Sequence, residues 1–235
     1  MRRYAWFFAV VVAAGLLAGC TAVPPDTVWR FDRLDRIGGA ATHVEGNPQV
    51  IATAAGPAVQ FDGIADGLFV DSHPLAGAAS FTVEAIFRPE GGPFEQRWLH
   101  LSEVDGKTGA DTGTRFLFEV RVVGERWYLD AFTKGASYSQ VLIVPEKQYP
   151  LGRWYRVAMS YDGKMFRSYV DGVLQAEAPV AFQPQGNGHA SVGVRINKVN
   201  WFKGSVYEAR FTPRPLAPAQ FLALPQGLNP PDAAH

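Results

Sequence analysis

Apolar and polar positions alternate at a period of two through much of the chain. Tyr155, Val157, Met159 and Tyr161 share one side of a segment whose other side holds Arg156, Ala158 and Ser160. That is the pattern of a half-buried strand. Phe81, Val83, Ala85 and Phe87 likewise alternate with Thr82, Glu84, Ile86 and Arg88, and Pro89 stops the run, since proline donates no ladder hydrogen bond. Asp162-Gly163 and Asp171-Gly172 punctuate the first of these regions. Both residue types tolerate positive φ, so each pair predicts a two-residue hairpin corner. Met165 to Val170 is then a return strand, with a third strand opening after Gly172.

The same reading places short strands at 58–61, 68–70, 98–101, 139–144 and 191–196. It pairs 115–122 with 126–132 in a hairpin around Val123-Gly124-Glu125, and reads 105–114 as a polar loop. In the last strand, 201–211, the apolar phase slips, because Val206 is followed by Ala209 and Phe211. A β-bulge near Tyr207 accounts for the slip. Residues 213–224 have room for one helical turn, with Pro218 near its start. About a dozen short strands with regular turn punctuation predict an all-β fold, a two-sheet antiparallel sandwich or jelly roll.

Length and composition narrow the class. A chain of 235 residues that is 47% hydrophobic supports one core. Lys plus Arg and Asp plus Glu both count 22, and that neutrality argues against nucleic acid, which requires a basic face. The N-terminus reads as a targeting segment, with Met1-Arg2-Arg3 as its positive region and Ala5 to Leu17 as its apolar region. Leu17-Ala18-Gly19-Cys20 resembles a bacterial lipobox, and Cys20 is the only cysteine. Lipidation there gives several acyl chains, each buried CH₂ contributing ~0.8 kcal/mol, so the anchor is effectively permanent. It also leaves no thiol for a disulfide or a metal. Lipoproteins that it resembles use an Asp after the cysteine for inner-membrane retention; Thr21 here points to the outer membrane in a host that has one. The predicted organisation is a signal peptide over 1–19, a lipidated cysteine and tether over 20–27, a β-sandwich over 28–224 and a flexible, Pro-rich tail over 225–235. The tether spans at most ~25 Å.

Five stretches occur in order: A-V-Q-F-D-G (58–63), S-F-T-V-E-A-I-F-R-P (80–89), G-R-W-Y-R-V-A-M-S-Y-D-G (152–163), S-Y-V-D-G (168–172) and F-K-G-S-V-Y-E-A-R-F-T-P-R-P-L (202–216). Together they resemble the LamG-like, concanavalin A-type jelly-roll domains of bacterial surface proteins. The resemblance implies the fold. It does not imply one function, because this fold hosts lectins, glucanases, lyases, adhesion modules and spacers. The family commonly has an acidic residue just before the Glu of the last strand, where this chain has Tyr207. Some relatives hold calcium at such corners, so Tyr207 weakens that implication.

Candidate chemistry is sparse. Enzymes of this fold that cut β-glucans carry E-x-D-x-x-E on one strand. The nearest stretch is Glu119 to Glu125, where Arg121 stands in a carboxylate's place and Glu125 falls in a turn. Asp62, Asp66, Asp71 and Glu208 offer oxygens for calcium, but Asp beside Gly63 and Gly67 also makes turns. Glu103, Asp105 and Asp111 form a weaker second set. Sugar binding requires exposed aromatic faces beside amides, for which Trp98, Trp127, Tyr138 and Trp201 are candidates with Asn200. Trp201, after a polar run, is the best rim candidate, whereas Trp154 belongs to the core. Glu84 and Arg210 are expected to form a cross-strand ion pair or a lone solvated pair, and no histidine pair has ligand spacing.

The first reading is a monomeric, lipid-anchored, extracytoplasmic binding module for a glycan or another surface polymer, without catalysis and with calcium as its only candidate cofactor. The second is an adaptor lipoprotein docking an envelope protein. The third is a lyase or hydrolase whose site residues are scattered in sequence.

Overall fold

The structure is a computed structural model that describes residues 25–229. The targeting segment, Cys20 and most of the tether lie outside the described residues, as do residues 230–235. In chain order the strands are β1 (Thr27–Arg30), β2 (Arg36–Ile37), β3 (Ala40–Glu45), β4 (Gln49–Thr53), β5 (Gly56–Asp62) and β6 (Gly67–Val70). Four long strands follow: β7 (Phe81–Pro89), β8 (Glu95–Val104), β9 (Asp111–Val123) and β10 (Arg126–Lys134). Then come β11 (Ser139–Ile143), β12 (Tyr149–Pro150), β13 (Tyr155–Tyr161), β14 (Met165–Val170), β15 (Val173–Pro179), β16 (Gly188–Val192) and β17 (Lys203–Thr212).

All strand pairs are antiparallel, in two sheets. The smaller runs β15-β14-β13-β7-β17-β5-β4, with β1 also beside β17. The larger runs β11-β10-β9-β8-β16-β6-β3-β2, with β12 beside β10. Their inner faces meet in one aromatic core. Phe81 of β7 meets Phe116 of β9 edge-on at 4.8 Å, and Phe87 stacks on Trp98 of β8 at 5.7 Å.

The meander is present, but its two corners differ. Asp171 (φ 51°) and Gly172 (φ 82°) both adopt positive φ between paired Val170 and Val173, as a type I′ corner requires. At the other corner only Gly163 is positive. The closing bond runs from the Asp162 N–H to the Met165 carbonyl, so Gly163-Lys164 is the turn. Asp162 instead caps it, its Oδ1 accepting the amides of Lys164 and Met165 at 2.9 and 2.8 Å. The predicted bulge in β17 is there, between Val206 and Glu208.

The smaller sheet's outer face is not open. The chain after β17, including a 3-10 turn at Pro218–Gln220, lies across it. Thr82 donates to the Arg214 carbonyl and accepts from Leu216 N–H, while Glu84 accepts the Leu222 N–H at 2.6 Å and pairs with Arg210 at 2.6 Å. Beyond Leu224 the Pro-rich sequence predicts a loose tail. Instead Leu228 is buried against Trp154, and the Asn229 side chain bonds both the N–H and the carbonyl of Trp154 at 2.8 Å. Trp154 is buried, as expected, but in this outer layer and not between the sheets.

Candidate functional site

With one outer face covered, the larger sheet presents the open one. Alternation decides what stands on it. In β9, Phe116, Phe118, Val120 and Val122 enter the core, so Arg115, Leu117, Glu119 and Arg121 face outward. In β10, Leu129 and Ala131 enter the core and Tyr128, Asp130 and Phe132 face outward. A bulge in β8 between Arg97 and Leu99 turns both Trp98 and Leu99 inward and leaves Arg97 and His100 outside.

These positions converge on a hollow of about 250 Å³ lined by Arg97, Arg115, Leu117, Glu119, Arg121, Asp130, Phe132, Val141 and Arg195. Glu119 and Asp130 are directly opposed across β9 and β10. Arg121 reaches Glu119 at 3.1 Å and Asp130 at 2.6 Å, while Arg97 reaches Glu119 at 2.9 Å and Glu95 at 3.0 Å. Arg121 also contacts Glu95. Burial, then the neighbouring Asp130, push the Glu119 carboxyl up to about 7. Beside buried Asp130, Glu119 thus holds its proton up to near neutral pH.

The segment between β16 and β17 forms the far wall. Ile196 N–H donates to Nδ1 of buried His100 at 3.1 Å, and Arg97 N–H donates to the Asn200 carbonyl at 2.9 Å. The Lys198 ammonium meets Glu45 at 2.8 Å. Lys198 and Asn200 both take φ of 58° to make this path, a conformation uncommon outside glycine. His100 therefore stays neutral, with its pKa lowered to about 3 by burial and by the charges of Arg195 and Arg115. On the other side of this segment lies a second, largely apolar hollow of about 560 Å³, lined by His43, Phe69, Asp71, His189 and Ile196 among others.

The sequence-based candidates fare unevenly. Trp98 and Trp127 are fully buried in the core and offer no face to a ligand. Trp98 is packed by Phe87 and Phe118, and Trp127 by Tyr149 and Tyr155. Trp127 shares the inward phase of Leu129 and Ala131, a signal already present in the alternation. Tyr138 is half-buried against Phe182. Trp201 is half-buried over Gly67, on neither hollow. Asn200 alone touches the site, donating from Nδ2 to Glu95 at 3.2 Å.

The calcium set is not assembled. Asp62 Oδ1 accepts the amides of Ile64, Ala65 and Asp66, and Asp66 accepts those of Asn47 and Asp62. Both carboxylates make turns. Glu208 lies beside Arg30 and Asp32 in another hollow, and Asp71 borders the apolar one. The second set is likewise spent locally: Asp105 caps Lys107 and Thr108, Glu103 accepts from Gly186 and Asp111 from Ser102. Among the described residues, no three acidic, histidine or cysteine side chains converge as a cation site.

A family model described as the concanavalin A-like lectin/glucanases superfamily matches residues 39–220. The chain belongs to this superfamily. Solved structures of similar fold include domain 4 of AbnA, a GH43 extracellular arabinanase from Geobacillus stearothermophilus, in complex with arabinotriose. That match has 18% identity, a TM-score of 0.57 and coverage of 86% of this chain and 88% of the other. The botulinum neurotoxin serotype D ligand binding domain in complex with N-acetylneuraminic acid is similar at 11% identity and TM-score 0.58, covering 82% of this chain and 48% of that one. Botulinum neurotoxin type C, whose cell entry depends on two ganglioside molecules, is similar at 9% identity and TM-score 0.57, covering 83% and 49%. The superfamily member described here thus spans about half of those toxin chains. At these identities the likeness is one of fold. A search of curated proteins finds no match.

Proposed function

We propose that this superfamily member is a lipid-anchored, extracytoplasmic module that binds glycan on the outer face of its larger sheet. One observation carries the reading. The hollow combines apolar Leu117, Phe132 and Val141 with planar hydrogen-bonding groups of Arg97, Arg121, Glu119, Asp130 and Arg195. Sugars present the matching surface, a C–H face bordered by hydroxyl pairs, and such sites fix them with a few placed polar groups. That similar folds carry arabinotriose and N-acetylneuraminic acid is consistent with it.

How the carboxyls are held supports a non-catalytic reading. Hydrolysis with retention requires two carboxyls about 5–5.5 Å apart on either side of a bond. Glu119 and Asp130 instead are cross-strand neighbours on one sheet, and both are tied to Arg121. Anchoring rests on the order of charge, apolar run, small residues and Cys20 at the N-terminus. Mass spectrometry of the membrane-extracted protein is expected to find acyl chains on Cys20, and an unmodified thiol there counts against it. A glycan array followed by calorimetry, with and without calcium, tests the binding role. Absence of binding to any envelope or plant polysaccharide at millimolar concentration removes it.

The apolar hollow favours a second reading. Phe69, Ile196 and the flank of His43 are the kind of surface a protein partner covers. Pull-down from detergent-solubilised envelope with wild-type protein and Phe69→Ser tests this, and equal recovery of every protein by both eliminates it.

A further inference from the structure

We infer that the glycan is acidic, carrying the carboxylates of uronate-type sugars, and that Arg115 and Arg195 receive them. The inference rests on the proposed glycan-binding role and specifies its ligand.

The arginines of the hollow divide into two kinds. Arg97 and Arg121 are matched by Glu95, Glu119 and Asp130 at the distances given above. Arg115 and Arg195 are not matched. Arg115 donates from Nη1 to the Gly113 carbonyl at 2.9 Å and lies 5.2 Å over the ring of Phe132. Neither it nor Arg195 has a carboxylate within ion-pairing distance among the described residues. The Nε atoms of both are buried and unpartnered. Both residues line the same hollow. Arg195 repels Arg115, and burial and this repulsion together hold Arg115 below the ordinary arginine range.

Two unpaired cations sharing a partly dry hollow is an arrangement that folding alone disfavours. An oxyanion placed between them removes both the repulsion and the missing hydrogen bonds. The flat fork of a guanidinium matches a carboxylate with two parallel bonds. Glu95, Glu119 and Asp130 stand within the same network and repel a densely charged group, which favours a singly charged carboxylate over a phosphate. Leu117, Phe132 and Val141 line the same hollow beside the sugar ring that bears it.

The test is calorimetry on the full chain in detergent micelles at low and high salt. The probes are oligomers of galacturonate, mannuronate and guluronate, the carboxyl-reduced form of each, and citrate as a carboxylate without a sugar. At least one uronate oligomer is expected to bind about tenfold or more tightly than its reduced form, and to weaken as salt rises. Arg115→Gln and Arg195→Gln are each expected to lower that affinity about tenfold. Arg33→Gln, at an exposed pair with Asp35 away from the hollow, is the control. Equal binding of acidic and reduced oligomers overturns the inference and leaves the glycan role standing. Citrate binding as tightly as every uronate oligomer overturns both, since the site then reads charge without sugar. Absence of binding to all uronate oligomers also overturns the inference. The comparison of acidic with reduced oligomers on the unaltered chain requires no variant to fold.

Discussion

Arg121 bridges Glu119 and Asp130, with Nη2 at 3.1 Å from one carboxylate and 2.6 Å from the other. The two carboxyls are direct neighbours across β9 and β10, and both are almost wholly buried. Removing the bridge strands two acidic groups in a poorly solvated place. Arg121→Gln is therefore expected to destabilise the fold by roughly 3–5 kcal/mol, the usual result of breaking one side of a buried pair. Urea denaturation measures it, and a loss under about 1 kcal/mol shows that the network is better hydrated than described.

The same pair gives stability a pH dependence. Glu119 faces Arg97, Arg121, Asp130, Glu95, Arg115 and Arg195, and its pKa rises from 4.5 to about 7 through burial first and Asp130 second. Between those values the folded protein keeps a proton that the unfolded chain has lost. Glu119 thus makes stability fall as pH rises from 4.5 to about 7, by up to about 1.4 kcal/mol per pH unit, and adds no slope above. His100 acts oppositely: held neutral when folded, it costs stability as pH falls from 6.5 towards 3. Subtracting the stability–pH curve of Glu119→Gln from that of the unaltered chain isolates the first effect. A flat difference between pH 5 and 7 contradicts it.

Trp98 supports the fold and not the ligand. Trp98→Ala is expected to cost about 3–5 kcal/mol, as large core truncations do, because Phe87 and Phe118 lose a packed face. In the fraction that remains folded, glycan affinity is expected to change less than about twofold. Chemical denaturation and calorimetry on one preparation separate the two effects, and a loss of affinity at unchanged stability contradicts the placement.

Much of the fold was legible because the period-two pattern needs only neighbours in sequence. Tyr155, Val157, Met159 and Tyr161 do enter one core, and the phase slip at Tyr207 does mark a bulge. The bulge in β8 left no such trace, because Trp98 and Leu99 are both apolar and either could have been the outward one. The site was legible only in fragments. Arg115, Leu117, Glu119 and Arg121 alternate along β9 and could have been read as one outward row. Arg195 could not, since it arrives from a segment fixed by the path from Gly193 to Asn200. The pairing of Glu84 with Arg210 was legible, but not the chain that Thr82 and Glu84 also bond, since it arrives from residues 214–222.

That cover extends to Asn229. Its side chain satisfies the buried backbone of Trp154 twice, so Asn229→Ala leaves two polar groups short of partners. A loss of about 1–3 kcal/mol is expected, read from thermal or urea unfolding. An unchanged midpoint indicates a tail that adds nothing to stability.

Ligand is expected on the outer face of the larger sheet. Backbone amide chemical shifts of the ¹⁵N-labelled protein, titrated with a glycan shown to bind, test this most directly. The expected result is a continuous patch of shifted resonances over Arg97, Leu117, Glu119, Asp130, Phe132 and Arg195, with the outer face of the smaller sheet unmoved. Shifts confined to the corners around Asp62, Asp105 or Asp171, with the hollow silent, contradict it.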